Sequence, residues 1–425
     1  MQVFKFGGAS INTANAVRKL FEIVCTRNSS PLIVIISAMG KSTNVLEEIL
    51  DIKIRNNSFK TTLKKFKKYH LEICKILFDD SDNRIFYELN QIFLKLEHTL
   101  NRVNAGKHDW SYDQVISFGE KISSLIVSTY LNVSGLKCKL LPATDVIKTT
   151  GEFREARIIW DSTSEKIRDA VSLYGNYDII LSQGFIGADS SGNTTTLGRE
   201  GSDFTAAIFA NCLNATSLTV WKDVPGIMNA DPRITDDPVM FNALSYYEAS
   251  EMSYYGAKVI HPKTIRPLAN KNIPLFVRGF YDYEKPGTRI HNCKSDPEIY
   301  AVIYKGDQCL FSFRFADFNF ISEKSLVRIY SVLNALNIRI NMMQNSAISF
   351  SICIDQHEKK IQKLIEMLQH KFVLHYNTGL RLVTIKNYDQ HALEQYRPKV
   401  GLLLEQKSRS DYQAVFKPAY TKPNL

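Results

Sequence analysis

The chain has 425 residues, 44% of them hydrophobic and 23% charged, the proportions of a globular protein long enough for two or three domains and a well-buried core. No apolar run approaches the roughly 20 residues of a membrane span, and there is no charged-then-apolar leader, so no membrane segment or signal peptide is expected. Seven scattered cysteines without a C-x-x-C pair argue against a disulfide framework or zinc site and fit a reducing cytoplasm, and the net charge of +10 suits an enzyme of anionic small molecules.

Residues 1 to about 50 alternate strand and helix, as "VFKF", "TANAVRKLFEIVCTR", "PLIVIIS" and "STNVLEEILDI". Residues 51 to about 133 read as helices: "FKKYHLEICKILF", "RIFYELNQIFLKLEHTL" and "DQVISFGEKISSLIVSTYL". The lysine-rich "KTTLKKFKKYH" reads as the solvated face of an amphipathic helix rather than a nucleic-acid stripe. From Cys138 to Val220 the strands "CKLLPA", "YDIILSQGF" and "SLTVW" return, with the helix "SDFTAAIFANCL" before the last. This alternation predicts a mostly parallel sheet covered by helices on both faces. Near residue 295 the pattern changes. "YAVIYKGDQCLFSFRF", "SLVRIYSVLNAL", "IRINMMQ", "ISFSICI" and "EKKIQKLIEMLQ" give strand, helix, strand, strand, helix, the order of a split βαβ sandwich. "LRLVTIKNY", "VGLLLEQ" and "YQAVFK" form a shortened second unit. The turn-rich "PGTRIHNCKSDP" puts the boundary between Pro286 and Pro297, giving domains 1–292 and 297–425.

"SAMGKST" has the tail of a P-loop, but Ile35 stands where that motif needs glycine, and no G-x-G-x-x-G fingerprint is present. What remains is four Gly-rich turns, each after a predicted strand: "KFGGAS", "SAMGKST", "SQGFIGADSSGNTTTLGREGSD" and "WKDVPGIMNADPR". Ligands of open α/β sheets bind at that edge, where helix N-termini receive anions. The adjacent Gly7 and Gly8 after Lys5 suggest an anion approaching the backbone closely. Together the turns point to an ATP-using enzyme.

"KFGGAS", "ISFGE", "TTTLGREGSDFTAA", "VWKDVPGIMNADPR" and "EMSYYGAKVIHP", in that order, resemble the signature blocks of aspartate kinases, and the region after residue 295 resembles their regulatory pair of ACT domains. The resemblance implies an α/β amino-acid kinase fold, a mostly parallel sheet sandwiched by helices, plus C-terminal α+β ferredoxin-like ACT domains, one complete and one shortened. It implies transfer of the ATP γ-phosphate to the side-chain carboxylate of L-aspartate, giving 4-phospho-L-aspartate, the first step towards lysine, threonine and methionine. Carried over by position, Lys5 neutralises the transferring phosphoryl group, and Gly7, Gly8 and Ser10 cradle it. Asp203 orients Lys5, because a carboxylate nucleophile needs no base. Arg199 grips the substrate α-carboxylate, Glu120 meets the α-ammonium, and Ser37, Thr43 and Ser202 donate hydrogen bonds. Lys222, Asp223, Met228, Arg233, Lys258 and Val259 fall where the family holds ATP; Mg²⁺ arrives with the nucleotide, and no metal site of the protein's own is expected. The resemblance also implies a cytoplasmic homodimer or higher homo-oligomer with an amino-acid effector at the ACT region, and no nucleic-acid or membrane partner. Lys5→Ala is expected to abolish turnover with little loss of stability.

The chain departs from the pattern at Ala9, where the family has threonine and Ser10 is the nearest replacement hydroxyl, and at Met228, a place often held by tyrosine. Glu200 replaces a small residue and is expected to repel an anionic substrate unless it turns to solvent. Asn341 stands where lysine-inhibited relatives place an aspartate for the effector's ammonium, and Lys324 and Ser325 replace a Gly-Phe pair, so weak or absent lysine inhibition is expected. Apart from the blocks, Glu120 reads first as a solvated surface carboxylate, and Asp203 reads also as a helix N-terminal charge, Arg233 as a turn residue, and Lys258 and His261 as helix-end cations, the reading preferred for His261. Competing readings are a glutamate 5-kinase of the same fold, an inactive amino-acid sensor and a nucleic-acid binder.

Overall fold

The protein is described from a computed structural model covering residues 1–26, 31–78, 84–103, 105–235, 237–257, 260–294, 299–314, 320 and 322–418. The chain divides into two compact units: Met1–Ile227, Met240–Ser250 and Ile260–Ser295 form one, and Met228–Val239, Glu251–Val259 and Asp296–Leu425 the other.

Among the described residues the first unit holds ten strands: β1 (Gln2–Phe6), β2 (Leu32–Ile36), β3 (Cys138–Leu141), β4 (Ile179–Gln183), β5 (Ile186–Ala188), β6 (Thr194–Thr196), β7 (Ser217–Lys222), β8 (Ala243–Ser245), β9 (Leu275–Gly279) and β10 (Thr288–His291). Eight of them make one sheet in the order β3-β4-β2-β1-β7-β9-β10-β8, parallel at every pairing except β9 with β10. All five residues of β2, "LIVII", are buried, as they must be in a strand covered on both faces. The helix Lys60–Leu77 buries Leu63, Phe66, His70, Ile73, Cys74 and Leu77 and turns its lysines outward, so the basic run is the amphipathic face expected. "DQVISFGEKISSLIVSTYL" is two helices rather than one, His108–Ile116 and Phe118–Val133, broken at Ser117.

A short hairpin, β5 with β6, has no counterpart in the sequence reading. A buried carboxylate holds it. Asp113 accepts from the Arg154 N–H at 3.0 and 3.1 Å, and from the Thr196 N–H at 2.8 Å and hydroxyl at 2.7 Å. Replacing Asp113 with alanine strands these donors in the interior. The expected cost is about 3 kcal/mol, read as a lower urea midpoint at unchanged slope.

The second unit adds β11 (Ala301–Arg314), β12 (Ile340–Asn345), β13 (Ser349–Asp355), β14 (Val373–Lys386), β15 (Leu402–Lys407) and β16 (Asp411–Phe416), an antiparallel sheet in the order β12-β13-β11-β14-β16-β15. Helices Glu323–Ala335 and Glu358–Leu368 lay Ile329, Leu333, Leu364 and Leu368 against Phe311, Phe313 and Ile352. A helix the sequence reading did not contain, Gln390–Tyr396, completes the shortened half; Asp389 Oδ1 caps it by accepting the Ala392 N–H at 2.6 Å. The fold is therefore α/β with a mostly parallel sheet, plus an α+β C-terminal sandwich. Among the described residues no helix is long and apolar enough to cross a membrane.

Candidate active site

The sheet order puts β1 between β2 and β7, and its C-terminal end carries Lys5. Lys5 Nζ lies 2.6 Å from Asp203 Oδ1, in the first turn of the helix Gly201–Cys212, and both residues are buried. Burial opposes ionisation of Asp203, but Lys5 and Lys222 outweigh it and hold the carboxyl below its usual range. Lys222 ends β7, next to β1.

The turn after β1 makes a close approach to the turn after β2. The Gly40 N–H donates to Gly8 O at 2.9 Å, and a Cβ on Gly8 would lie 2.4 Å from Ala38 O. Glycine at position 8 is thus required by the chain's own backbone. At position 7 a Cβ would meet only Lys5 Nζ, at 3.5 Å, so nothing in the described packing forbids a side chain there. The Ser10 hydroxyl is buried and donates to Trp221 O at 3.4 Å.

Ala38 links this turn to the helix Phe118–Val133, where Glu120 is 2% exposed. Glu120 Oε1 accepts the Ala38 N–H at 3.2 Å; Oε2 is buried and has no hydrogen-bond partner among the described residues. Burial pushes this carboxyl up to about 8, against the smaller pull of the Ala38 N–H and of Lys121 and Lys5. The surface-carboxylate reading of Glu120 therefore fails: no water-exposed face stabilises its charge. One turn on, Ser123 donates to Ser37 O at 2.7 Å, and the Ser37 N–H donates to Phe6 O at 3.2 Å. Thr43 lies in the first turn of the helix Ser42–Ile54.

The third turn brings Ser202 to the end of β4. The Gly184 N–H donates to Ile36 O at 2.8 Å, and a Cβ on Gly184 would lie 2.5 Å from Ser202 Cβ. Gly184 and Ser123, which touch the candidate residues Ser202 and Ser37, were not singled out from sequence; the "SQGF" glycine at a strand end was the available signal for the first, and nothing in sequence marks the second. Arg199 sits between Gly198 (φ 75°) and Glu200 (φ 53°), exposed and without an ion-pair partner among the described residues. Glu200 does not face the anion site as an uncompensated charge: its Oε2 accepts the His261 N–H at 2.9 Å. His261 itself corrects the sequence reading. It begins the helix Pro262–Ala269 and accepts the Lys263 N–H on Nδ1 at 3.1 Å. A cation is disfavoured at a helix N-terminus, and an imidazole accepting on Nδ1 carries no proton there.

The expected nucleotide residues belong to both units. Lys222 ends β7 and the exposed Asp223 follows it in the first unit, whereas Met228 and Arg233 belong to the second unit, where Arg233 is exposed and pairs with Asp231. Lys258 and Val259 lie outside the described residues. Among the described residues no group of three His, Cys, Asp or Glu is arranged to hold a metal ion.

In the second unit Asn341 is fully engaged. Its Oδ1 accepts from Lys305 Nζ at 2.9 Å, and its Nδ2 donates to Gln308 Oε1 at 2.7 Å and Asp355 Oδ1 at 2.9 Å. Lys305 also pairs with Asp355 at 2.7 Å. A bulge in β11 between Lys305 and Gln308 brings the two side chains together.

These features, a lysine–aspartate pair and glycine turns at the C-terminal edge of a parallel sheet, define an anion-handling α/β enzyme, and the chain belongs to the amino acid kinase family, whose profile matches residues 1–279. Within the family its relatives are aspartokinases. It is 30% identical to the aspartokinase of Chlamydia trachomatis over 86% of this chain and 82% of that one. It is 29% identical to the chloroplastic bifunctional aspartokinase/homoserine dehydrogenase 2 of Arabidopsis thaliana over 87% of this chain, and spans 42% of that relative's length. The fold is also that of Escherichia coli aspartokinase III in complex with aspartate and ADP, with a TM-score of 0.84 at 24% identity, covering 98% of this chain and 96% of that one.

Proposed function

We propose that the chain is an aspartate kinase: the side-chain carboxylate of L-aspartate attacks the γ-phosphorus of ATP, the bond to the β-phosphate oxygen breaks, and 4-phospho-L-aspartate and ADP leave. The observation that carries this reading is Glu120 Oε2, a buried carboxylate oxygen with no hydrogen-bond partner among the described residues, at the edge where the glycine turns meet. A buried acceptor of this kind calls for a cation from outside the chain, and the α-ammonium of an amino acid supplies one. Arg199, unpaired and exposed, is free to take the α-carboxylate through two parallel hydrogen bonds. Lys5 would neutralise charge on the transferring phosphoryl group, with Asp203 fixing its ammonium; Gly7, Gly8 and Ser10 would cradle the phosphate, and Ser37, Thr43 and Ser202 would orient the substrate. Lys222, Asp223, Met228, Arg233, Lys258 and Val259 would hold ATP. With Asp203 committed to Lys5 and no acidic cluster among the described residues, the donor set fits Mg²⁺ that arrives on the phosphates, where it neutralises charge. On this reading residues 1–292 are catalytic and 297–425 regulatory, in a cytoplasmic homodimer formed through the edges of the six-stranded sheet.

The test is ADP release from Mg·ATP with L-aspartate, with L-glutamate, and with no amino acid. Turnover that requires aspartate supports the reading. Turnover with glutamate alone, or none in a folded protein that binds ATP, overturns it.

Regulation by lysine is expected to be absent. Both amide atoms of Asn341 are taken, and the ammonium they face is the chain's own Lys305. Isothermal titration with L-lysine should give no heat of binding; a micromolar complex would refute this expectation.

A further inference from the structure

A cleft of about 510 Å³ opens in the first unit between the helices Ser42–Ile54 and Lys60–Leu77. Its lining shares Gly40 with the turns of the candidate active site but includes none of the side chains proposed to contact aspartate or ATP. Its apolar surface is the buried Phe66 with the half-buried Val45 and Tyr69, and its charged groups are Lys41, Lys65 and Glu48. Lys67 and Lys68, on the same helix as Lys65, have partners: Asn90 at 2.7 Å and Glu72 at 3.6 Å. Lys41, Lys65 and Glu48 have none within the chain among the described residues, although they share one cleft. Neither helix that frames the cleft has a side-chain N-cap or an acidic residue in its first turn, which adds to the positive potential the two lysines create. The size is that of a small-molecule pocket, with an apolar floor and a few charged groups around it.

We propose that this cleft is a second ligand site of the enzyme and that it takes a small organic dianion, either a dicarboxylate or a phosphate monoester. One negative charge of the ligand meets Lys41 and the other Lys65. The carbon body lies on Val45 and Phe66. Glu48 accepts from a hydroxyl or ammonium group on the ligand and keeps larger polyanions out. The site shares a wall with the turn that receives phosphate. The Tyr69 hydroxyl donates to Asn12 O at 2.8 Å, and a Cβ on Gly40, whose φ is 58°, would lie 2.7 Å from the Tyr69 hydroxyl oxygen. Gly40 in turn holds Gly8 O.

The test reads binding rather than turnover, so it stands or falls independently of the reaction assigned above. Thermal unfolding of the full chain is followed with succinate as one probe and glycerol 2-phosphate as the other, up to about 10 mM, because a ligand of the folded state raises the midpoint with concentration. The expected result is a concentration-dependent rise with at least one probe, and which probe acts tells dicarboxylate from phosphate monoester. In the double variant Lys41→Glu, Lys65→Glu the apparent affinity should fall by at least about tenfold. Should the double variant fail to fold, Lys65→Ala is titrated in the same way and the same loss is expected. A rise that survives the substitutions places the anion elsewhere, in the catalytic site, and overturns the proposal. So does the absence of any rise in the unmodified protein.

Discussion

Replacing Lys5 with alanine is expected to remove turnover and to weaken the fold at the same time. The catalytic part follows from position. Lys5 Nζ lies 3.5 Å from where a Cβ on Gly7 would stand, and removing a preorganised donor from a site of phosphoryl transfer lowers kcat by at least about 10³-fold. The loss of stability was not expected from sequence, and its cause is Asp203. With Lys5 present, the Asp203 carboxyl is held below its ordinary range, so its contribution to stability is full at neutral pH and is lost as the pH falls through that lowered value. Without Lys5 the burial that opposes ionisation has less to oppose it, and the carboxylate is left unpaired in the interior. Breaking one side of a buried pair costs about 3–5 kcal/mol. The destabilisation should be largest near neutral pH and smaller in acid, where Asp203 takes up a proton. The double variant Lys5→Ala, Asp203→Asn separates the two effects: it should recover most of the stability and none of the turnover. Activity retained in Lys5→Ala would remove the phosphate role altogether.

Glu120→Gln is expected to move stability and affinity in opposite directions. An amide cannot pair with the substrate ammonium as a carboxylate does, and KM for aspartate should rise on the order of 100-fold with a smaller change in kcat. Stability behaves differently because burial holds the carboxyl at about 8 in the free protein, above its ordinary 4.5. A group raised in this way contributes its stability fully below pH 4.5 and loses it as the pH climbs towards 8. The glutamine variant has no such loss, so at pH 8 it should unfold no earlier than the unmodified protein. The same ionisation predicts that kcat/KM for aspartate in the unmodified enzyme rises as the pH approaches 8, with a flatter profile in Glu120→Gln. A KM unchanged by the substitution would release Glu120 from the substrate site.

β1, β2, β4 and β7 were legible because each is an apolar run followed by a glycine-bearing turn, whereas β8, β9 and β10 were not read from the sequence at all. β2 and β4 could be read directly from "LIVII" and "IILSQ". The hairpin β5–β6 was not, because three residues a side carry no alternation and its support comes from Asp113, about 80 positions upstream. The charged members of the site were visible through the turns that carry them. What sequence could not reveal is how charge is compensated: that Glu200 spends its carboxylate on the His261 N–H, or that Asn341 is saturated by residues from β11 and β13. One error was avoidable. Pro262 directly after His261 marks a helix start, and the histidine should have been read as its cap.

The central place of β1 has a consequence for how the protein is made. The strand is synthesised before every other strand of its sheet, yet one of its two neighbours is β7; the contact between Gln2 and Ser217 spans 215 positions. At about 5–20 residues per second, roughly 10–40 s separate the emergence of the two strands from the ribosome. During that interval β1 can pair only with β2, and its other edge stays open. Lys5 meets Asp203 late for the same reason. A nascent chain that stalls before β7 lacks both the completed sheet and the neighbour that closes it over the ion pair, so ribosome-bound intermediates of this protein should need protection by chaperones and should show no enzymatic activity until the greater part of the first unit has been translated.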